Sequence, residues 1–363
     1  PLGSCFSGGL DSSLIVSLAR KELGGGLTGV SFDNGLGTGS DAPFARECGE
    51  KLDVNVEVIK PSAHDMASDL DDLVYHQDAP FESASIFAQY AVFRRAKECG
   101  ITVMLDGQGA DEFFGGYRTS ISARICEALL RGDVLATLRL ANTQSYPDRG
   151  SHRRMLIAGL GRIAPVALTA PLLDLIGEPL VLREMNREWF VDRGATPRRR
   201  PEGRGLNALR EELAIQVGSW SLPHLLRYED RNSMAFSIEA RVPFCTPEVA
   251  EMAAQLPADQ LISSRGETKA VLRAAARNQV PASVLDRPKL GFNTDQVAWL
   301  REAGPTLQKV LNDDVLGPIA ALDKAAARTT VTAALKSGGG LSQTAWRLLV
   351  LAIWSARFGV SYN

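Results

Sequence analysis

Cysteine and histidine are scarce in this sequence, with five and four among 363 residues. The cysteines are scattered without a Cys-x-x-Cys pair, which argues against a disulfide framework and against a zinc knuckle. No apolar run approaches the roughly 18 residues of a membrane helix, and the first residues lack the pattern of a signal peptide. The net charge of -2 gives no general reason to expect nucleic acid. We therefore expect a cytoplasmic globular protein with neither a membrane nor a nucleic-acid partner.

A Walker-type phosphate loop is also missing, since no Gly-x-x-x-x-Gly-Lys-Ser/Thr occurs. The chain has instead SGGLDSS at residues 7–13, between an apolar strand pattern at 2–6 and a helical spacing of leucines beyond. Glycines at such a turn leave N–H groups free to face an anion. Asp11 adds a carboxylate, and with no ligand-spaced histidines any metal is expected to be Mg²⁺ held by oxygen. Taken alone, such a turn can also be a plain helix cap, which is the less favoured interpretation here.

Three further apolar runs, at residues 27–32, 54–59 and 101–105, alternate with helical patterns. This order predicts repeated βαβ units, and hence an α/β fold with a parallel sheet covered by helices on both faces. A nucleotide is expected at the carboxyl ends of the strands. The Gly-rich loop 33–40 either lies near the nucleobase or is an exposed turn.

Beyond these strands the sequence predicts mostly helices. We divide the whole chain into a nucleotide-binding core (1–120), a helical, Arg-rich insertion (121–205), a stretch of further active-site segments (206–300) and C-terminal helices (301–363). In the insertion, arginines 198, 199, 200 and 204 favour a solvated, mobile loop over a polyanion site. Near the carboxyl terminus, Trp346, Trp354 and intervening leucines are predicted to be core or interface residues.

A second strong segment, DGQGADEFFGGY, follows the apolar run at 101–105 and occupies residues 106–117. Its glycines let a ligand approach the backbone, and acids follow directly. Asp11 and Asp111 are therefore candidate joint Mg²⁺ ligands. The adjacent acids Asp111 and Glu112 are also typical of a helix amino terminus.

Three later segments carry charge among apolar residues. Residues 225–244 predict an active-site wall, with a salt-bridged scaffold as the alternative for Glu239 and Arg241. The segment GETK ends at Lys269, and RPKLGF begins at Arg287. A lysine or arginine aimed at a transferring phosphate or a tetrahedral intermediate would stabilise the developing negative charge.

Together these five segments resemble the synthetase domain of glutamine-hydrolysing asparagine synthetases, within the N-type ATP pyrophosphatases. The likeness covers roughly residues 1–125 and 215–300. It implies a pyrophosphatase-type parallel α/β sheet with a helical remainder, and ATP and Mg²⁺ as the nucleotide and metal. It also implies a reaction in which ATP adenylates a carboxylate, releasing pyrophosphate, before ammonia or an amine displaces AMP.

The resemblance also implies residue roles. Lys269 is expected to stabilise the acyl-transfer transition state, with Gln108, Asp111 and Glu112 as the further catalytic candidates, and Asp11 and Asp111 to carry Mg²⁺. The residues expected to hold pyrophosphate are Ser7, Gly8, Gly9, Asp11 and Ser12, and those expected to line the adenine site are Val30, Phe32 and Gly107.

Departures from the family pattern leave the substrate open. Asp106-Gly107-Gln108 stands where the family usually has Ser-Gly-Glu or Ser-Gly-Asp, and an amide cannot act as a general base. Cys245-Thr246 replaces Leu-Asp, and Ala42 replaces a glutamate. Aspartate is one expected small-molecule carboxylate, and a sugar acid or natural-product carboxylate is the alternative.

The family's amino-terminal glutaminase domain is absent from this chain. Ammonia is therefore expected from such a domain, from a partner or from solution, and a homodimer is a possible assembly. Two other classes are less favoured. A sulfur-transfer or tRNA-modifying enzyme needs a basic face or paired catalytic cysteines, and the near-neutral charge and scattered cysteines count against it. A nucleotide-binding regulatory protein would have a degenerate site, whereas the intact Asp11, Asp111 and Lys269 favour an enzyme.

Overall fold

A five-stranded, all-parallel sheet organises the protein. The computed structural model describes residues 1–35, 40–146, 151–164, 182–195, 201–287, 315–336 and 343–362, with 299, 304–305 and 308–309 between them. The sheet order is β3-β2-β1-β4-β5, which confirms the predicted α/β fold with a parallel sheet. The strands are β1 (Leu2–Cys5), β2 (Leu27–Phe32), β3 (Asn55–Ile59), β4 (Val103–Leu105) and β5 (Glu239–Arg241).

Helices connect the strands and cover the sheet. The amino-terminal set is α1 (Leu10–Leu23), α2 (Ala42–Leu52), α3 (Ala63–Gln77), α4 (Ser85–Glu98), α5 (Ala110–Phe114), α6 (Arg118–Leu130), α7 (Val134–Ala141), α8 (Ser151–Gly161) and α9 (Arg187–Asp192). The carboxyl-terminal set is α10 (Ala208–Ile215), α11 (Leu222–Ala235), α12 (Pro247–Gln255), α13 (Ala258–Leu261), α14 (Ala270–Ala276), α15 (Ala282–Leu285), α16 (Lys324–Lys336) and α17 (Gln343–Phe358).

Side-chain alternation along the strands divides the core into two clusters, one on each face of the sheet. On β2, Val30 and Phe32 pack with α3, α4 and α17, and Trp346 of α17 is fully buried there. Leu27 points the other way, toward the cluster that α1, α2 and α6 share. The helices thus cover both faces of the sheet, as the near-continuous apolar strands predict.

Local sequence signals explain several helix starts. Ser62 and Asp65 form a reciprocal capping box at the start of α3. Proline lies in the first turn of α2, α11 and α12, where its missing N–H costs no hydrogen bond. Among the described residues, no helix is both long and apolar enough to cross a membrane.

A buried ion pair fixes the helical region that follows α5. Arg162, after α8, lies 2.9 Å from Glu212 of α10, and both side chains are almost fully buried. The guanidinium also donates to the Gly203 carbonyl at 2.7 Å. Arg204, predicted to lie in a solvated loop, instead donates to the Ala164 carbonyl at 2.7 Å. Residues 198–200 lie outside the described part of the chain.

β5 was not predicted as a strand. It extends the sheet beyond β4, with Glu239 opposite Val103 and Arg241 opposite Leu105. Its two charged side chains are exposed and pair with each other at 2.5 Å. The interpretation of these two residues as an active-site wall is therefore wrong, and the salt-bridged alternative describes them.

Candidate functional site

A cavity of about 380 Å³ opens at the carboxyl ends of β1 and β4. The strand order reverses at this point, because β1 leads to β2 on one side and has β4 on the other. Open parallel sheets bind ligands at such switch points, and the volume is within the usual range for small-molecule sites. The cavity is lined by Cys5, Phe6, Ser7, Gly9, Leu10, Asp11, Ser12, Val30, Phe32, Asp41, Ser85, Ile86, Gln89, Val92, Asp106, Gly107, Gln108, Asp111, Tyr117, Leu225, Tyr228, Thr268, Lys269, Arg273, Val284 and Arg287.

The glycine loop after β1 forms one wall of this cavity. Gly8 has a left-handed backbone, and a Cβ there would lie 2.4 Å from the Ala45 nitrogen, so only glycine fits without rearrangement. Gly9 is the residue before α1, and its N–H donates to Ser7 Oγ at 3.2 Å. Ser7 and Ser12 hydroxyls lie 3.0 Å apart. The loop thus presents hydroxyls and the amino terminus of α1 to the cavity, which is an arrangement suited to an anion.

A buried lysine bridges the two carboxylates predicted to bind metal. Lys269 Nζ lies 2.5 Å from Asp11 Oδ2 and 2.7 Å from Asp111 Oδ1. The lysine is 5% exposed. Burial lowers its pKa, but the two carboxylates more than compensate, and the net pKa is raised. Lys269 is therefore a fixed positive charge where the glycine loop meets a second loop, residues 106–109, which joins β4 to α5.

The backbone at this lysine is unusual. Lys269 precedes α14 in a left-handed conformation, with φ of 54°. A non-glycine residue in that region costs on the order of 1 kcal/mol or more, and such strain is concentrated at functional sites. Gly116 packs directly against the pair, since a Cβ there would overlap Asp111 Oδ1 and Lys269 Cε.

The donor set fits a magnesium ion. Asp11 Oδ1 is buried and has no hydrogen-bond partner in the described part of the chain, so a lone pair is available for a cation. Within the same residues, no group of three or more His, Cys, Asp or Glu side chains could hold a metal alone. Mg²⁺ commonly takes one or two carboxylates and completes its shell with substrate phosphates and water.

Two further acids lie close together beneath the second loop. Burial raises the pKa of Asp106, against hydrogen bonds from the Cys5 thiol and the backbone N–H groups of Gly107 and Gln108. Burial, followed by the charge of Asp106, raises the pKa of Glu229 well above its usual value. Asp106 lines the cavity, whereas Glu229 of α11 does not.

An ion pair closes another side of the cavity. Arg287 lies 2.7 Å from Asp41 and stacks over the Phe44 ring at 4.0 Å. Burial raises the pKa of Asp41, although Arg287 opposes the shift. Arg287 Nε is buried without a hydrogen-bond partner among the described residues, so it remains available to a phosphate or carboxylate. The rest of the RPKLGF segment, residues 288–292, lies outside the described part of the chain.

Most of the predicted site residues meet in this cavity. Those that line it are Ser7, Gly9, Asp11, Ser12, Val30, Phe32, Gly107, Gln108, Asp111 and Lys269. Gly8 does not, because it packs against α2. Glu112 also points elsewhere: its carboxylate accepts hydrogen bonds from Tyr117 Oη at 2.6 Å and Ser221 Oγ at 2.7 Å.

Several cavity residues were not selected from the sequence as site residues. Asp106, Tyr117 and Tyr228 lay within quoted segments, but nothing in the local pattern distinguished them from structural positions. The Asp41–Arg287 pair joins the start of α2 to the end of α15, a contact with no local sequence signal. The loop 33–40 is described only in part, and Asp33 there binds Gly35 and Ser40 rather than lining the cavity.

Comparison with known proteins agrees with this geometry. A family model described as asparagine synthase matches residues 1–356. Glutamine-hydrolyzing asparagine synthetase 1 of Bacillus subtilis (strain 168) is 31% identical, over 83% of this chain and 47% of the relative. A putative glutamine-hydrolyzing asparagine synthetase of Mycobacterium bovis is 29% identical, over 98% of this chain and 54% of the relative. The chain thus spans about half the length of these relatives, and it belongs to the asparagine synthase family.

Proposed function

We propose that the protein catalyses ATP-dependent amide formation, by adenylating a carboxylate and passing the acyl group to ammonia or an amine. The observation that carries this proposal is the buried Lys269, held between Asp11 and Asp111 where the glycine loop meets the second loop. No such charge arrangement is needed for a structural helix cap. A carboxylate is a poor electrophile toward ammonia, and adenylation converts one of its oxygens into a leaving group.

The glycine loop is proposed to hold the pyrophosphate portion of ATP. Ser7, Gly9 and Ser12 offer hydroxyl and N–H donors, and preorganised donors of this kind need no rearrangement as charge develops. Val30, Phe32 and Gly107 form the proposed adenine wall, which is apolar apart from its backbone groups. Gly8 acts indirectly, by allowing the loop to pack on α2.

Asp11 and Asp111 are the proposed ligands of Mg²⁺, which when bound supplies positive charge against the pyrophosphate. Lys269 adds a second, permanent positive charge beside the reacting phosphate and acyl groups. Since the lysine pairs with both carboxylates in the protein alone, it also keeps two buried acids from repelling each other. Arg287 Nε is a further donor for anionic substrate groups.

The carboxylate substrate is proposed to lie toward Gln108, Tyr117 and Tyr228, which line the same cavity as the glycine loop. Aspartate is the first candidate, because the relatives are named asparagine synthetases. A sugar acid or another specialised carboxylate is the second, because Gln108 lines the cavity at a position where the resemblance implies an acid. Cys245, which replaces another family residue, donates to the Gln108 carbonyl through its thiol at 3.5 Å.

The test is ATP-dependent pyrophosphate release with ammonium as the nitrogen source, screened across aspartate, glutamate and sugar acids. Ammonium makes the assay independent of any glutaminase. Release with aspartate supports asparagine formation, and release with another carboxylate supports the specialised alternative. No release with any carboxylate would favour a nucleotide-binding regulatory protein. The molar mass of the same purified protein in solution tests whether it is a homodimer. The cytoplasmic location stays a prediction.

A further inference from the structure

The acids of the cavity are not equivalent. Four aspartates line it, and three of them are ion-paired: Asp11 and Asp111 with Lys269, and Asp41 with Arg287. Asp106 has no cationic partner within 4 Å among the described residues. Asp106 is therefore the aspartate of this cavity that forms no ion pair with a lysine or arginine among the described residues.

Asp106 is held in a defined position at the cavity wall. Its backbone N–H donates to the Arg241 carbonyl at 2.9 Å, which continues the pairing of β4 with β5. Its carboxylate accepts hydrogen bonds from the Cys5 thiol and from the N–H groups of Gly107 and Gln108. These contacts fix the carboxylate on the same loop as Gln108, and both residues face the same cavity.

The surroundings make Asp106 a stronger base than an exposed aspartate. Burial raises its pKa, against the hydrogen bonds from Cys5 and the loop. Burial, followed by the charge of Asp106, also raises the pKa of Glu229 well above its usual value. Burial raises the pKa of Cys245 to about 11, so that neighbour is a neutral thiol at physiological pH.

The position of this carboxylate on its loop differs from the pattern that the resemblance implies. The resemblance to asparagine synthetases implies Ser-Gly-Glu or Ser-Gly-Asp at this loop, whereas this chain has Asp106-Gly107-Gln108. One carboxyl group is lost at the third position and one is gained at the first. These three positions therefore still hold one acid, but it lies two residues earlier in the chain.

We propose that Asp106 is the general base that accepts a proton from the attacking ammonia or amine, the role that Gln108 cannot perform. This inference rests on the proposed amide-forming function. The nitrogen forms a bond to the acyl carbon of the adenylate and gives up a proton to an Asp106 carboxylate oxygen. The bond from the acyl carbon to the AMP oxygen breaks, AMP leaves with the electron pair, and solvent later takes the proton from Asp106.

The competing interpretation is that Asp106 only caps the loop. Serine separates the two, because it is a natural capping residue without a carboxylate. Asp106→Ser should therefore keep the fold and the adenylation step while losing the base. The double variant Asp106→Ser/Gln108→Glu returns a carboxylate to the third loop position and should recover activity.

The experiment measures two steps with the carboxylate that gives the fastest pyrophosphate release. Single-turnover pyrophosphate release without ammonium reports adenylation, and amide formation with ammonium reports the second step. For Asp106→Ser we expect near-normal adenylation and a loss of amide formation of about 10²- to 10⁴-fold, the usual contribution of a general base. We expect the double variant to recover at least tenfold of that loss, on the same scale. Glu229→Gln is the matched control, since it removes the other acid of the cluster without touching the cavity, and it should form amide at the parent rate.

Three results would overturn the proposal: parent-like amide formation by Asp106→Ser, an equal loss of both steps, or no recovery in the double variant. An equal loss of both steps would make Asp106 a structural cap, and no recovery would show that a carboxylate on this loop does not serve as the base. Absence of pyrophosphate release from the parent protein is a different result. It would refute the proposed function, and the base role with it.

Discussion

Replacing Gly116 by alanine should separate the Lys269–Asp111 pair without altering either charged residue. A Cβ at this position would lie 1.7 Å from Asp111 Oδ1, whereas real Cβ contacts essentially never fall below 3.0 Å, so the carboxylate has to move by about 1.3 Å. The backbone cannot easily yield. The Gly116 carbonyl accepts from Tyr146 Oη at 2.6 Å, and the Gly116 N–H donates to the Asp111 carbonyl at 2.8 Å.

The expected consequence is a loss of turnover with a modest loss of stability. Misplacing a reacting group by about 1 Å can cost about 10²-fold in rate. Overpacking a buried site typically costs about 1–3 kcal/mol of the free energy of unfolding. Gly116 does not have a left-handed backbone, so alanine brings no backbone strain of its own.

The assay is steady-state pyrophosphate release with ammonium, combined with thermal unfolding to check the fold. Gly25→Ala is the matched control, because a Cβ there meets nothing within 4 Å, and it should leave the rate unchanged. A folded Gly116→Ala protein with the parent rate would refute the claim that the spacing of Asp111 and Lys269 matters to the reaction.

Four further predictions follow from the same geometry. Asp11→Asn or Asp111→Asn should raise the Mg²⁺ concentration for half-maximal pyrophosphate release, and an unchanged Mg²⁺ dependence would count against both as ligands. Lys269→Ala should bind ATP nearly normally in equilibrium titrations but turn over about 10²- to 10³-fold more slowly; normal turnover would exclude its role. Burial and a neighbouring carboxylate raise the pKa of Glu229, so its contribution to stability is fully present below the ordinary value of 4.5 and is lost as the pH rises through the raised pKa. Glu229→Gln should therefore raise Tm, relative to the parent, more at alkaline than at acidic pH, and a pH-independent difference would contradict this. Arg162→Met removes the buried guanidinium that contacts Glu212 and should cost about 3–5 kcal/mol in urea unfolding, whereas a cost below about 1 kcal/mol, the scale of a surface pair, would contradict this.

Strands β1 to β4 could be predicted because each is a run of apolar or β-prone residues between helical patterns. β5 could not, since it is three residues long and begins and ends with an exposed charge. Its place in the sheet depends on pairing with β4, which is distant in the sequence. A strand made by long-range pairing leaves little trace in its own residues.

The site residues also fall into those that the sequence could predict and those that it could not. The glycine loop, Asp111 and Lys269 carry motif signals, and they meet in the cavity as expected. Glu112 has the same chemistry as Asp111, but successive helical residues point about 100° apart, and only Asp111 faces Lys269. The burial of Asp106 beside Glu229 depends on how α11 packs behind the loop, which a local pattern does not report.

The most direct test of the central claim is the fate of carboxylate oxygen. The carboxylate that supports pyrophosphate release is labelled with ¹⁸O, incubated with ATP and ammonium, and the products are analysed by mass spectrometry. Adenylation predicts that one labelled oxygen appears in AMP, because the acyl carbon leaves that oxygen on phosphorus when nitrogen attacks. Label in inorganic phosphate, together with ADP, would show an acyl phosphate instead and would contradict the account.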